Sequence, residues 1–187
     1  MNKDENNPNL ITEWTYSPKE WNIYVAIEKD NKKEDNIYFG IGIIIVGVFA
    51  LMVFRQTSFI AALMFATVFV ILIPFLRMKI SYPFLKNSKS NVSVKIFRDY
   101  LLINSKKVVF FSDIRMLKSI QIIEVKEEKL LEFTIEWPTR KGPTNDEYRV
   151  LVPKNKMEEA KGLVSYFNHK TNGTDITFGD VLKTLMK

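Results

Sequence analysis

The chain of 187 residues has no cysteine and only one histidine, His169. Without thiols it can form no disulfide, no thiolate metal site and no Cys nucleophile, and it fits a reducing compartment. One imidazole with no thiolate is too little for a zinc site. A lone histidine at a helix C-terminus more commonly serves the helix dipole than catalysis. Glycine is sparse at seven residues, and none belongs to a phosphate-binding loop; no G-x-S-x-G elbow and no metalloprotease motif occurs. The acidic pairs Glu127–Glu128 and Asp146–Glu147 fall in polar turns, and Glu132 and Glu136 share the outward face of a strand. All are expected at the solvated surface rather than converging on a substrate. A non-enzymatic protein without cofactor or metal is the expectation.

Charge is missing from two long stretches. Ile37–Phe54 (IYFGIGIIIVGVFALMVF) and Phe59–Leu76 (FIAALMFATVFVILIPFL) hold 18 residues each and no charged side chain, and only Arg55–Ser58 (RQTS) separates them. At ~1.5 Å per residue each spans about 27 Å, close to a ~30 Å hydrocarbon core. One uninterrupted helix would bury Arg55 near the bilayer midplane, at a cost of at least ~2.5–3.5 kcal/mol. A hairpin places Arg55 at an interface, where its stem can snorkel. Two segments apolar on every face have no polar side to offer water, which argues against a hairpin in a soluble core. The sequence therefore predicts a transmembrane hairpin over residues 37–76. The absence of charged groups within its two helices speaks against an ion or proton pathway, and their uncharged, non-amphipathic character speaks against a pore-forming or lytic protein. Gly40 and Gly47, and Ala62 and Ala66, have the spacing that lets helices approach closely, within the hairpin or through self-association. Pro74 is tolerable near the end of its helix.

The charge that is present is unevenly spread. Residues 1–36 carry five Lys/Arg against eight Asp/Glu, residues 77–187 carry 21 against 13, and the whole chain is +6. Lys29, Lys32 and Lys33 precede the hairpin, Arg77, Lys79, Lys86 and Lys89 follow it, and its turn holds only Arg55. The positive-inside rule then puts both termini in the cytoplasm. A basic domain beside a membrane suits an anionic lipid surface; no nucleic-acid recognition motif accompanies it. The first apolar stretch lies behind 36 polar residues with no small-residue cleavage site after it, so an uncleaved anchor is expected.

The flanks carry periodicity. Residues 1–16 begin with a polar stretch and are expected to be disordered. Residues 17–36 read as an amphipathic helix, with Ser17, Pro18 and Glu20 as an N-terminal cap and Trp21, Tyr24, Val25 and Glu28 at helical spacing. This helix is expected to lie at the membrane interface or to pack on the later domain. From residue 86 the pattern turns to alternation: Val92, Val94 and Ile96 on one face, then LLIN, VVFF, LKSIQIIEV, LLEFTIEW and EYRVLV, with PTRKGPTND as a long polar loop. These six strands predict an antiparallel meander over 86–170, curled into a small β-barrel or sandwich. A C-terminal helix closes it, capped by Asn155 and Glu158, with Met157, Ala160, Val164 and Phe167 as its apolar stripe. Residues 171–187 form a tail in which Thr177 and Asp180 could cap one more short helix. The expected fold class is thus an α+β membrane protein: amphipathic helix, transmembrane hairpin (37–54 and 59–76), then a small antiparallel β-barrel or sandwich closed by a C-terminal helix.

Six antiparallel strands followed by one helix resemble the plan of a pleckstrin-homology-like domain. IFRDYLLINSKKVVFFSDIRML (Ile96–Leu117), with its Ser112–Asp113–Ile114 step, resembles the early strands of the bacterial members. TYSPKEWNIYVAIEKDNKK ahead of a two-helix hairpin resembles the YcxB-like bacterial membrane proteins, and the likeness extends over about residues 14–170. It departs at FFSDI, where many relatives have Trp before the Asp step, and in showing six strands where a complete PH fold has seven. The resemblance implies a multi-pass protein of the bacterial cytoplasmic membrane with a cytoplasmic PH-like domain; it transfers no ligand residue. The leading functional expectation is an interaction module for a protein partner, docked at an exposed strand edge or in the groove beside Asn155–His169. The alternative is a reader of anionic lipid, with Arg77, Lys79, Lys86, Lys89, Lys106 and Lys107 as contacts.

Overall fold

The computed structural model describes residues 9–171, and leaves the side chains of Ser81 and Thr171 undescribed. The disorder expected of residues 1–8 and the short helix expected around Thr177 and Asp180 lie outside the described residues.

The chain divides into two compact units. One comprises residues 1–24 and 87–187 and holds all the strands of the described residues; the other, residues 25–86, is the helical hairpin. The sheet unit is therefore discontinuous in sequence, with the hairpin inserted near its beginning. It starts with a strand where disorder was expected: β1, Leu10–Tyr16, pairs antiparallel with β2, Val92–Phe97, in the register Trp14↔Val94 and Tyr16↔Val92. Trp14 and Tyr16 point into the core while Glu13 and Thr15 stay exposed, the period-2 pattern of a half-buried strand. The polar run ahead of it had disguised this alternation, and its pairing partner lies beyond the hairpin.

β3, Tyr100–Ile103, and β4, Lys106–Val109, complete a four-stranded sheet in the order β1-β2-β3-β4. A second sheet of three strands follows: β5, Met116–Val125; β6, Glu128–Thr139; and β7, Gly142–Leu151. The sheets do not close into a barrel, which corrects that part of the expectation. β4 is only four residues long and among the described residues pairs with β3 alone, and the chain leaves it through Phe110–Arg115 to begin a separate sheet. Two tight turns fix the hairpins. Asn104 and Ser105, and Lys126 and Glu127, all have positive φ, the two-residue geometry that matches strand twist. The stretch read as a long polar loop, PTRKGPTND, is mostly strand. Pro138 pairs with Pro143 and Thr139 with Gly142, leaving Arg140–Lys141 as the turn. Prolines fit there because β6 runs past the end of β5 after Glu136, so that no third strand needs their missing N–H.

The inward faces of both sheets meet around Phe110, Phe133 and Phe167. Phe110 stacks on Phe133 at 5.2 Å, and Phe167 meets Phe110 edge-on at 5.4 Å. Phe167 belongs to α3, Met157–Thr171, whose buried side chains are Ala160, Leu163, Tyr166 and Phe167. The stripe is rotated from the expected one: Leu163 is in the core, and Val164 and Met157 are only half-buried.

α1 runs without a break from Pro18 to Arg55, so the expected amphipathic and first hairpin helices are one helix of 38 residues, about 57 Å long. Its start is a capping box: Ser17 N–H donates to Glu20 Oε2 at 2.9 Å, and Glu20 N–H to Ser17 Oγ at 3.3 Å. Trp21 and Tyr24 are buried in the sheet unit; Tyr24 donates its hydroxyl hydrogen to the Arg149 carbonyl at 2.9 Å, and Trp21 lies 6.0 Å from the Tyr16 ring. Of the two placements open to this segment, its beginning takes the packed one. Asn22 bonds twice to the backbone of Ser88, holding the entry to the hairpin beside its exit.

α2, Phe59–Ser81, is capped by Ser58, and both helices are long and apolar enough to cross a membrane. Their seam is built on small residues. A Cβ on Gly47 would meet the Ala66 Cβ at 3.6 Å, and Val48, Ala62 and Ala66 form a buried cluster flanked by Ile44 and Leu51. Nearly all the remaining large side chains of this pair are exposed, among them Ile45, Phe49, Phe65 and Ile71. Thr67, mid-helix, donates its hydroxyl hydrogen to the Leu63 carbonyl at 2.8 Å, so it leaves no polar group unmet.

Candidate functional site

Strand β5 is the edge of its sheet: among the described residues it pairs only with β6. α3 packs beside it, and the two leave a groove of about 460 Å³ between Ser119–Ile122 on the strand and Lys161, Val164 and Asn168 on the helix. An edge strand presents a row of free backbone donors and acceptors, ready to accept another strand. The groove adds side-chain selectivity, with Ile122 and Val164 as half-buried apolar surfaces and Asn168 as a polar one. At the entry to β5 stand Ile114 and Met116, 63% and 52% exposed. Among the described residues of the sheet unit these are the exposed large apolar side chains; the other described ones belong to the hairpin. Lys161 borders the groove and is held by Glu158 at 2.6 Å. Val164 lies here because of the rotated stripe of α3, which placing it in the core concealed.

The six cations expected to read lipid are divided between the two units. Arg77, Lys79 and Lys86 belong to the hairpin unit, and Lys89, Lys106 and Lys107 to the sheet unit. Arg77 is engaged: its Nη1 donates to Asn36 Oδ1 at 3.3 Å, and its guanidinium lies 5.5 Å from the Phe39 ring centroid. Lys79 and Lys89 are exposed. Lys106 and Lys107 are successive strand residues and so point to opposite faces of the sheet. Lys107 lies 4.2 Å from the Tyr100 ring centroid, while Lys106 is on the side of buried Val108. They are not a paired phosphate cradle in one turn. Gly40, Gly47, Ala62 and Ala66 all face the hairpin's own seam or floor.

Two carboxylates are placed with more care than sequence reading suggests. Glu132, expected at the surface, is buried on the outward face of the second sheet. It accepts from Arg149 Nε and Gln121 Nε2, each at 2.7 Å, so one residue from each strand shares the interaction. Arg149 also donates to Glu147. Glu159, at the start of α3, accepts from Thr12 Oγ1, from Trp14 Nε1 at 3.0 Å and from Lys156 Nζ at 2.7 Å. Burial pushes its carboxyl pKa up, and the bonds from Lys156, Thr12 and Trp14 outweigh that, leaving it below the ordinary value. Glu20 is lowered by its bonds to Ser17, whereas burial, with the charge of Glu20, holds Tyr16 well above the usual phenol range. The Tyr16 hydroxyl donates to the Leu151 carbonyl at 2.6 Å. Each of these groups is satisfied by fixed partners, the arrangement of structural ties rather than of a waiting acid or base. His169 is exposed in the last turn of α3. Among the described residues no three His, Cys, Asp or Glu converge as a metal site.

Comparison with protein-family models, with curated proteins and with solved structures found no match to this chain.

Proposed function

We propose that this is a membrane-anchored, non-enzymatic interaction protein of the YcxB-like kind. The hairpin crosses the bacterial cytoplasmic membrane twice, and the sheet unit is a cytoplasmic PH-like domain that takes an extended segment of a protein partner along β5. The membrane reading is supported by two adjacent apolar helices whose large side chains are exposed. Such a surface belongs in lipid, since water would meet it at ~25 cal/mol for every Å². Four strands, then three, then a helix support the PH-like reading, and β1 supplies the seventh strand that the sequence count lacked.

The observation that carries the docking reading is the free β5 edge with its flanking groove, entered past Ile114 and Met116. A strand added there gains backbone hydrogen bonds, and alternate side chains drop into the groove between β5 and α3. The partner segment is accordingly extended, with apolar residues at every second position.

Photo-crosslinking in the native membrane tests this. A benzophenone amino acid at Ser119 is expected to yield a discrete adduct with another protein, lost on Val164→Lys, while the same group at Glu127, in the β5–β6 turn, yields none. Equal labelling at both positions would sink the docking reading. So would an adduct mapping to this chain's own residues 172–187.

A further inference from the structure

A second groove runs along the hairpin itself. Ile37, Ile41 and Ile44 of α1 and Val70, Phe75 and Met78 of α2 line it, and its volume is about 560 Å³. That lies within the ~300–1,000 Å³ typical of sites for single small ligands. Gly40 also lines it, and a Cβ there would come within 3.2 Å of Val70 Cγ1. The helices are nearly touching at that point, so the groove is a recess with a floor, not a gap between separated helices.

At one end the lining changes from apolar to charged. Lys29 and Lys33, one helical turn apart on the same face of α1, form the rim. Both are exposed, and among the described residues neither ammonium has a partner. Asp30 shares the rim and is already engaged in an interaction of its own. Between rim and apolar wall sits Asn36, buried and bonded to Arg77 of α2, which pins the two helices together where the apolar band begins.

The spacing matches a leaflet. With Ile37 at the edge of the hydrocarbon, Lys33 stands about 6 Å and Lys29 about 12 Å farther along the axis. The headgroup layer is ~5–7 Å deep, and a lysine stem can bend back toward it. The recess thus offers apolar walls at acyl-chain depth and two free ammoniums at phosphate depth.

We propose that this groove binds one anionic phospholipid, with an acyl chain against the isoleucine wall and the phosphate between Lys29 and Lys33. The proposal rests on the membrane-spanning reading of the hairpin. A second copy of the hairpin is a poorer occupant, because a symmetric contact would bring the two lysine rims together. Ordinary surrounding lipid would fill the recess without regard to headgroup; the paired ammoniums are what make it selective.

The full chain, reconstituted in vesicles of equimolar phosphatidylglycerol and phosphatidylcholine and then extracted in mild detergent, is examined by native mass spectrometry. The wild type is expected to retain phosphatidylglycerol roughly tenfold over phosphatidylcholine. Lys29→Gln with Lys33→Gln brings the two lipids near parity, Ile41→Trp lowers retention of both by filling the recess, and Lys79→Gln behaves as wild type. Equal retention of the two lipids by the wild type overturns the site whatever the variants do. Undiminished preference in the double variant also overturns it, since other cations would then be responsible. Release of the wild type from the vesicles by alkaline carbonate is a separate result: it defeats the membrane reading and takes this proposal with it.

Discussion

Glu159→Ala is the most informative single substitution in the sheet unit. The carboxylate ties β1, the strand ahead of the hairpin in sequence, to the first turn of α3 through Thr12, Trp14 and Lys156. Removing it leaves a half-buried threonine hydroxyl and the indole N–H of a buried tryptophan without their acceptor. Hydrogen bonds to a charged group contribute about 1.5–3 kcal/mol each, and an orphaned buried donor costs about 1–3 kcal/mol. The bonds share one acceptor and are not additive, so a total near 2–4 kcal/mol is expected. For a chain of this size that corresponds to a fall of roughly 5–15 °C in the melting temperature. Near-UV circular dichroism of the protein in detergent micelles, which senses the packing of Trp14 and Trp21, follows the transition. Glu159→Gln keeps an acceptor oxygen and is expected to lose less. The pH dependence has a definite sign. The folded carboxyl has a pKa below the ~4.3 of an unfolded glutamate. Its stabilisation is therefore complete well above pH 4.3 and is lost as the pH falls through the lower folded value. The gap between wild type and Glu159→Gln should narrow on acidification from pH 6 to pH 3. A loss under 0.5 kcal/mol for Glu159→Ala, or a gap that widens in acid, would refute the claim that this cluster fastens β1.

Three further outcomes follow from the same geometry. Because the chain has no cysteine, introduced thiols report cleanly. With Gly47→Cys and Ala66→Cys the Cβ atoms stand near 3.6 Å, inside the ~3.5–4.5 Å range of a disulfide; oxidation in membranes should give an intrachain bond and a faster-migrating monomer on gels, and a predominance of crosslinked dimers would move these small residues to an interface between copies. In intact cells a membrane-impermeant maleimide should label Ser58→Cys in the hairpin turn and spare Glu127→Cys, whereas labelling of Glu127→Cys would reverse the topology. Ser17→Ala removes half of the capping box and should cost about 1 kcal/mol, read as a small drop in melting temperature; no change would mean that packing of Trp21 and Tyr24 alone holds the start of α1.

Sequence alone was enough wherever a short stretch carries its own explanation. The two apolar runs, the capping box at Ser17 and Glu20, the alternation of Val92, Val94 and Ile96 and a helix after the last strand depend on neighbours within a few residues, and each is found, although the first run continues the helix before it and the last helix turns a different stripe to the core. Tertiary structure decided what depends on distant partners. β1 became a strand because Val92–Phe97, on the far side of the hairpin, offers it a ladder. Val164 faces the β5 groove, and Leu163 next to it takes the place in the core. The rim lysines Lys29 and Lys33 counted in sequence only toward topology. They became half of a candidate site when α2 folded back and gave α1 an apolar recess beside them. Periodicity records which face of an element is buried, but backbone pairing and concave surfaces arise only when separate elements meet, and no local pattern encodes that meeting.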